Sequence, residues 1–169
     1  MVLKLHIAKP LERLRDLLSE STTLRALLGV ATAEHALPKI LYGYAEESPA
    51  FDEVDGAQAV KALPRALIAL EDFSSNVEAS SSWSTEVVMS VFVQCLTMDV
   101  DRRKSLSERY KAFLDRIEGV ADDLRSLASD NTRLNLQNIR TDVPPHREDI
   151  KETGGIEIWS TVFVVTAGG

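Results

Sequence analysis

The stretch Trp83-Ser84-Thr85-Glu86-Val87-Val88-Met89-Ser90-Val91-Phe92-Val93-Gln94-Cys95-Leu96-Thr97 decides the fold. Successive strand side chains point to opposite faces, so Val87, Met89, Val91, Val93 and Cys95 form one wholly apolar row. That row belongs against a core. The other row, Glu86, Val88, Ser90, Phe92, Gln94 and Leu96, is mixed, as a partly covered sheet face should be. At about 3.3 Å per residue the run spans on the order of 45 Å. Few strands are this long, so the sheet is expected to project past its own core or to bend at a bulge.

Downstream, Ser105 to Ala128 reads as helix. Leu106, Tyr110, Phe113, Leu114, Ile117, Val120, Ala121, Leu124 and Leu127 make a continuous apolar stripe. Ser105 and Glu108 have capping-box spacing. Arg109, Lys111, Asp115, Arg116, Glu118, Asp122, Asp123 and Arg125 form the opposite, solvated face. Leu134 to Val143 alternates weakly and reads as a strand at an edge. Pro144-Pro145 is expected to break the chain, with His146 to Gly155 as an exposed loop. Ile156 to Ala167 is a strong strand carrying Trp159, Val162, Phe163, Val164 and Val165.

Upstream, Pro64 opens a strand over Arg65 to Phe73, and the serine-rich stretch from Ser74 to Ser82 is expected to turn. Glu46 to Lys61 reads as a long exposed acidic loop, of a length usually functional or disordered. Lys39-Ile40-Leu41-Tyr42 reads as a short extended piece. Pro10 to Gly29 is leucine-rich at helical spacing, with Pro10 in the first turn and Gly29 as the stop. Ser21-Thr22-Thr23 are poor helix formers, which predicts a kink or two joined helices.

These elements give an α+β fold. The sheet is antiparallel or mixed, with about four long strands and helices packed mainly on one face. The chain is expected to be a single domain over 1–169, with an acidic loop at about 45–62 and a second loop at about 144–155. Its 169 residues suit one core.

Charge and composition exclude several classes. The net charge of −7 opposes non-specific grip on phosphates, which depends on Lys and Arg releasing counterions. The densest basic run, Arg102-Arg103-Lys104, is too short for a nucleic-acid stripe and reads as a solvated turn. Cys95 is the only cysteine, so no intrachain disulfide forms, and its place in an apolar run makes it a small buried hydrophobe. The first ten residues mix charges with apolar groups, unlike a signal peptide. No apolar run approaches the roughly 20 residues of a membrane-spanning helix.

No chemistry-bearing constellation emerges. His6, His35 and His146 lie far apart in segments of different character, unlike metal ligands at short spacing. Asp52-Glu53-Val54-Asp55-Gly56 has the glycine of a calcium loop but the wrong carboxylate spacing. Neither phosphate-binding glycine motif is present. Ser80-Ser81-Ser82 lacks a nucleophile elbow. Glu71-Asp72 and Asp122-Asp123 are sequence neighbours whose side chains diverge, so neither is a catalytic dyad. No catalytic, cofactor-binding or metal-ligating residues are expected, and the chain is read as a non-enzyme. Trp83 and Trp159 read first as sheet packing. Interface centres are rich in aromatics, so a sheet too long for its own helices also makes them candidates for subunit contact.

The order of elements carries one resemblance. A leucine-rich helix ending Leu27-Leu28-Gly29 precedes a variable acidic loop and Pro64-Arg65-Ala66-Leu67-Ile68. The long Trp83–Thr97 strand, the Ser105–Ala128 helix and two strands ending Thr161-Val162-Phe163-Val164-Val165 follow. This plan is similar to the tail terminator (tail completion, minor tail) proteins of long-tailed bacteriophages and to head–tail joining proteins. The resemblance covers most of the chain through element order and length, without an invariant motif, and carries over no individual residue.

It implies a structural subunit that closes into a homo-oligomeric ring, a hexamer, on the end of the tail tube. The tail tube protein and head–tail connector proteins would be its partners, with no specific nucleic-acid or membrane binding. It would reside in the virion tail, and in the bacterial host cytoplasm during assembly. The two loops would then be candidates for ordering on those neighbours. A stand-alone cytoplasmic ligand- or protein-binding module is the alternative. An unrecognised enzyme would require His35 or His146 to converge with buried carboxylates.

Overall fold

The computed structural model describes residues 8–43, 63–77, 83–131, 134–150 and 156–168. The acidic stretch at about 45–62 therefore lies outside the described residues, as do His6, residues 78–82 and residues 151–155.

Helices α1 (Ala8–Glu20) and α2 (Thr22–Leu28) divide at Ser21, where the hydroxyl-rich triplet predicts an interruption. Ser21 has extended φ/ψ, and its Oγ accepts from the Leu24 amide at 3.1 Å, an N-cap for α2. Gly29 closes α2 at φ 69°, a left-handed conformation that glycine adopts without a Cβ clash. A short α3 (Ala33–Ala36) follows, capped by Thr32, and leads into strand β1 (Ile40–Tyr42). The long strands are β2 (Arg65–Val77) and β3 (Trp83–Leu96), then β4 (Asn135–Ile150) and β5 (Ile156–Gly168) after helix α4 (Leu106–Asn131). The capping box forms as the spacing predicts. The Ser105 amide donates to Glu108 Oε2 at 2.9 Å, and the Glu108 amide donates to Ser105 Oγ at 3.3 Å.

The sheet order is β1-β2-β3-β5-β4. All long neighbours are antiparallel, while β1 runs parallel to β2 with Ile40 opposite Ala66, so the sheet is mixed and the fold α+β. The helices cover one face. Leu14, Leu17, Leu18, Leu24 and Leu28 meet Phe113, Ile117, Val120 and Leu124 of α4 over the odd-numbered row of β3 and over Trp159, Phe163 and Val165 of β5. Each fully buried leucine contributes roughly 1.5–3 kcal/mol. The opposite row of β3 is mixed as expected. Glu86 is exposed, Val88, Phe92 and Leu96 are half-buried, and Gln94 is buried and accepts from Arg65 Nε at 2.9 Å. Burial without a full set of water contacts lowers the Arg65 pKa.

Two sequence expectations are corrected. The expected turn at Ser74–Ser82 begins later, because β2 stays paired through Ser75↔Thr85 to Val77↔Trp83. A bulge between Leu70 and Asp72 supplies the bend that so long a strand needs. The second expected loop, at 144–155, is also displaced. Pro144-Pro145 does not end β4, which resumes pairing at His146↔Ser160 and continues to Ile150↔Ile156. The prolines sit where the register shifts between Val143 and His146, on an edge strand, so their missing N–H groups break no regular ladder pair. The Thr161 hydroxyl donates to the Val143 carbonyl there at 2.8 Å.

A tertiary cap ties α2 to α4. Asp123 Oδ2 accepts from Ser21 Oγ at 2.7 Å and from the Thr23 amide at 3.1 Å. The carboxylate thus satisfies an otherwise unpaired first-turn N–H of α2 and faces its positive end. Asp123→Ala is expected to lose about 1–2 kcal/mol, read as a lower urea midpoint at unchanged m-value. Asp122→Ala, on the exposed neighbour, is the control and should shift it by no more than about 0.5 kcal/mol.

Candidate interaction surface

The groups considered for chemistry from sequence do not converge. His35 is exposed in α3, which leads into the edge strand β1, and His146 is exposed on β4, the strand at the other end of the order. Cys95 is 1% exposed, and burial pushes its thiol pKa up to about 12, so it carries little thiolate at neutral pH. Glu71 and Asp72 are exposed at the β2 bulge. Arg102-Arg103-Lys104 forms an exposed turn, with Arg102 on Asp99 at 3.1 Å and Lys104 on Asp101 at 2.9 Å. Among the described residues no group of three or more His, Cys, Asp or Glu side chains comes together as metal ligands, and no helix is long and apolar enough to cross a membrane.

The organised polar site is one the sequence reading does not single out. Glu157, near the start of β5, lies on the helix-covered face and is 9% exposed. Arg109 of α4 grips it with both arms of its fork, Nε to Oε2 at 3.0 Å and Nη2 to Oε1 at 3.2 Å. Arg147 of β4 adds Nη1 to Oε1 at 3.1 Å, and Thr97 Oγ1 donates to Oε2. The indole N–H of Trp159 donates in turn to Thr97 Oγ1 at 3.2 Å. Burial alone would raise the Glu157 pKa, but the hydrogen bonds from Thr97, Arg109 and Arg147 outweigh it and hold the carboxyl below its usual range. A lone carboxylate in the apolar run Ile156–Trp159 is the signal that marks it in sequence, since a buried carboxylate needs partners.

Arg109, Arg147 and Thr97 all donate to one carboxylate, and Trp159 donates to Thr97, so the network fixes the geometry of this corner. It anchors three elements at one corner, α4, β4 and β5. Above it Trp159 packs on Phe113 at 5.6 Å and on Tyr110 at 6.2 Å between ring centres. The corner opens outward as a cleft of about 680 Å³ lined by Leu106, Ser107, Tyr110, Pro145, Arg147 and Trp159. Leu106 and Tyr110 are 48% and 40% exposed. A second carboxylate, Asp101, braces the turn beneath α4 through Arg116 and Lys104.

At the other edge of the sheet, Leu41 and Tyr42 on β1 are 44% and 51% exposed. Arg15 lies over the Tyr42 ring at 5.6 Å and donates to the Ile40 and Leu37 carbonyls at 2.8 and 2.6 Å. Val143 on β4 adds exposed apolar surface at the cleft-side edge. Exposed large apolar side chains thus occur at both edges of the sheet, and Val100, in the turn after β3, is another. No protein-family model matches the chain, and no curated protein matches it significantly.

Proposed function

We propose that this chain is a structural assembly subunit whose copies join head to tail in a ring, and specifically a tail terminator or completion protein of a long-tailed bacteriophage. The observation that carries the assembly reading is exposed apolar side chains at both sheet edges, Leu41 and Tyr42 on β1 and Leu106, Tyr110 and Val143 around β4, with Val100 exposed in the turn after β3. Two different patches on opposite sides suit a heterologous contact, which closes into a ring when the rotation per subunit permits. An isologous dimer would need one self-complementary patch. The phage assignment adds the order of helix, two strands, long helix and two strands, and the acidic charge of −7 suits a ring through which DNA passes without adhering. In that role the ring, a hexamer, caps the tail tube and offers its other face to the head–tail connector.

The β4 edge itself is a poor strand-addition site. Its prolines and register shifts interrupt the row of backbone donors that a partner strand would use. Side-chain packing at the two edges is the mode of association that remains.

The test is solution mass by light scattering across protein concentration, with negative-stain imaging of any large species. Rings, or monomers converting to rings as concentration rises, are expected. A strict monomer at the highest attainable concentration would remove the ring and leave the stand-alone binding module.

A further inference from the structure

We infer that the outer part of β4, residues 146–150, is a movable wall of the cleft, latched by the Arg147–Glu157 ion pair. It opens from β5 while the rest of the sheet stays folded. The cleft of about 680 Å³ takes Pro145 and Arg147 from β4, Leu106, Ser107 and Tyr110 from α4, and Trp159 from β5. Moving the β4 side therefore controls access to Trp159, which is 3% exposed with the wall closed.

Three features set this part of β4 apart from the rest. The ladder to β5 is interrupted between Val143↔Val162 and His146↔Ser160, where Pro144 and Pro145 have no ladder partner and no N–H to donate. Inward of that break the chain is tied down, since the Thr161 hydroxyl donates to the Val143 carbonyl at 2.8 Å. Burial differs in the same direction. Leu136 and Ile139, on the inner side, pack against the core, whereas His146 is exposed and Pro145 and Arg147 are half-buried. Finally, β4 ends the strand order, so among the described residues its outer part pairs on one side only. Segments with few buried apolar contacts and exposed backbone hydrogen bonds open locally, at a lower free energy than the whole domain.

The latch is the arm of the Glu157 network that releases most easily. Of the four hydrogen bonds that Arg109, Arg147 and Thr97 donate to this carboxylate, Arg147 supplies one, at 3.1 Å. When the wall swings out, Glu157 keeps the other three, so no buried carboxylate is stranded. The Arg147 side chain is 33% exposed against 19% for Arg109, and water can take the place of the carboxylate at its guanidinium. Arg109 meanwhile continues to hold α4 to β5, which keeps the opposite wall and Trp159 in position. One corner thus combines a fixed brace with a releasable one.

The test is amide hydrogen exchange, resolved by residue with NMR under native conditions. In the wild type, the hydrogen-bonded amides of residues 146–150 should exchange at least about tenfold faster than those of residues 138–141 on the same strand. Arg147→Met keeps the aliphatic stem and removes the charge. It should speed exchange at residues 146–150 by about tenfold more, the size of losing one charge-assisted hydrogen bond, and leave residues 138–141 unchanged. Arg147→Lys returns a cation within reach of Glu157 and should restore most of the protection. Acrylamide quenching gives an independent reading. In a Trp83→Phe background Trp159 is the remaining tryptophan, and adding Arg147→Met should raise its quenching constant. Equal exchange in the two halves of wild-type β4 would show that the strand opens as one, and the movable wall would be refuted. If Arg147→Met speeds both halves alike, or neither, Arg147 is not the latch. Should the Trp83→Phe protein misfold, the exchange measurements decide alone.

Discussion

Glu157→Ala should destabilise the fold by about 3–5 kcal/mol, the range seen when one partner of a buried ion pair is removed. The size follows from what is left behind. Arg109, with 19% of its side chain exposed, loses two charge-assisted hydrogen bonds, and Arg147, at 33%, loses one. The Thr97 hydroxyl loses its acceptor while still holding the Trp159 indole. Exposure lets water reach Arg147 in part, so most of the loss belongs to Arg109, Thr97 and the space vacated under Tyr110 and Trp159. Urea unfolding at neutral pH measures it. Glu157→Gln keeps the volume and one acceptor oxygen and should recover part of the loss, which separates shape from charge. A change below about 1 kcal/mol for Glu157→Ala would mean the corner is solvated and the network ornamental.

That corner also shows why the site was hard to read from the chain. Glu157 meets Arg109 across 48 positions and Thr97 across 60. Nothing local in Ile156–Trp159 specifies such partners. Asp123 is similar, since the helix pattern puts it on the solvated face of α4 while its real role is to cap α2, 100 residues upstream at Thr23. The fold was legible where period and burial agree. The odd row of β3 is buried from Val87 to Cys95, the stripe of α4 meets it from Phe113 onward while Leu106 and Tyr110 at its start stay exposed, and Ser105–Glu108 and Gly29 act locally as their spacing predicts. It was illegible where tertiary context overrides a local rule. A Pro-Pro pair ordinarily ends a strand, yet an edge position and a register shift let β4 pass through it. Serines after Phe73 resemble a turn, but pairing to Ser84 and Thr85 keeps β2 extended.

The placement of exposed apolar side chains follows from the same topology. Placing β1 and β4 at the two ends of the order β1-β2-β3-β5-β4 makes them the two edges among the described residues. The three-residue β1 is too short to invite strand pairing, and β4 is interrupted by prolines, so both edges resist non-specific growth. Each edge instead exposes a small set of apolar side chains, Leu41 and Tyr42 on β1 and Val143 on β4.

Lowering the pH should remove stability steeply below about 4.5, and this acid loss should be blunted in Glu157→Gln. Glu157, Asp101 and Asp123 are all held below their ordinary values of 4.5 for Glu and 3.8 for Asp. For each, burial pushes upward, but partners win: Thr97, Arg109 and Arg147 at Glu157, Arg116 and Lys104 at Asp101, and Ser21 and Thr23 at Asp123. A depressed folded pKa means that the unfolded chain binds the proton first. The stabilisation is therefore complete above the unfolded values and drains away as pH falls through the lower folded ones. Within its window each site contributes a slope of about 1.4 kcal/mol per pH unit. With three sites overlapping below pH 4, the combined loss should exceed that of any one substitution. Asp101, with only 3% of its side chain exposed, should contribute strongly, and half-buried Asp123 less because solvent screens it. Urea midpoints at pH 7, 5, 4 and 3 give the slope directly. Glu157→Gln starts lower at pH 7 but should lose less between pH 5 and 3 than wild type, so the two curves converge in acid. Parallel curves would mean that Glu157 titrates alike in folded and unfolded chains, and the bracing of the cleft by its charge would have to be abandoned.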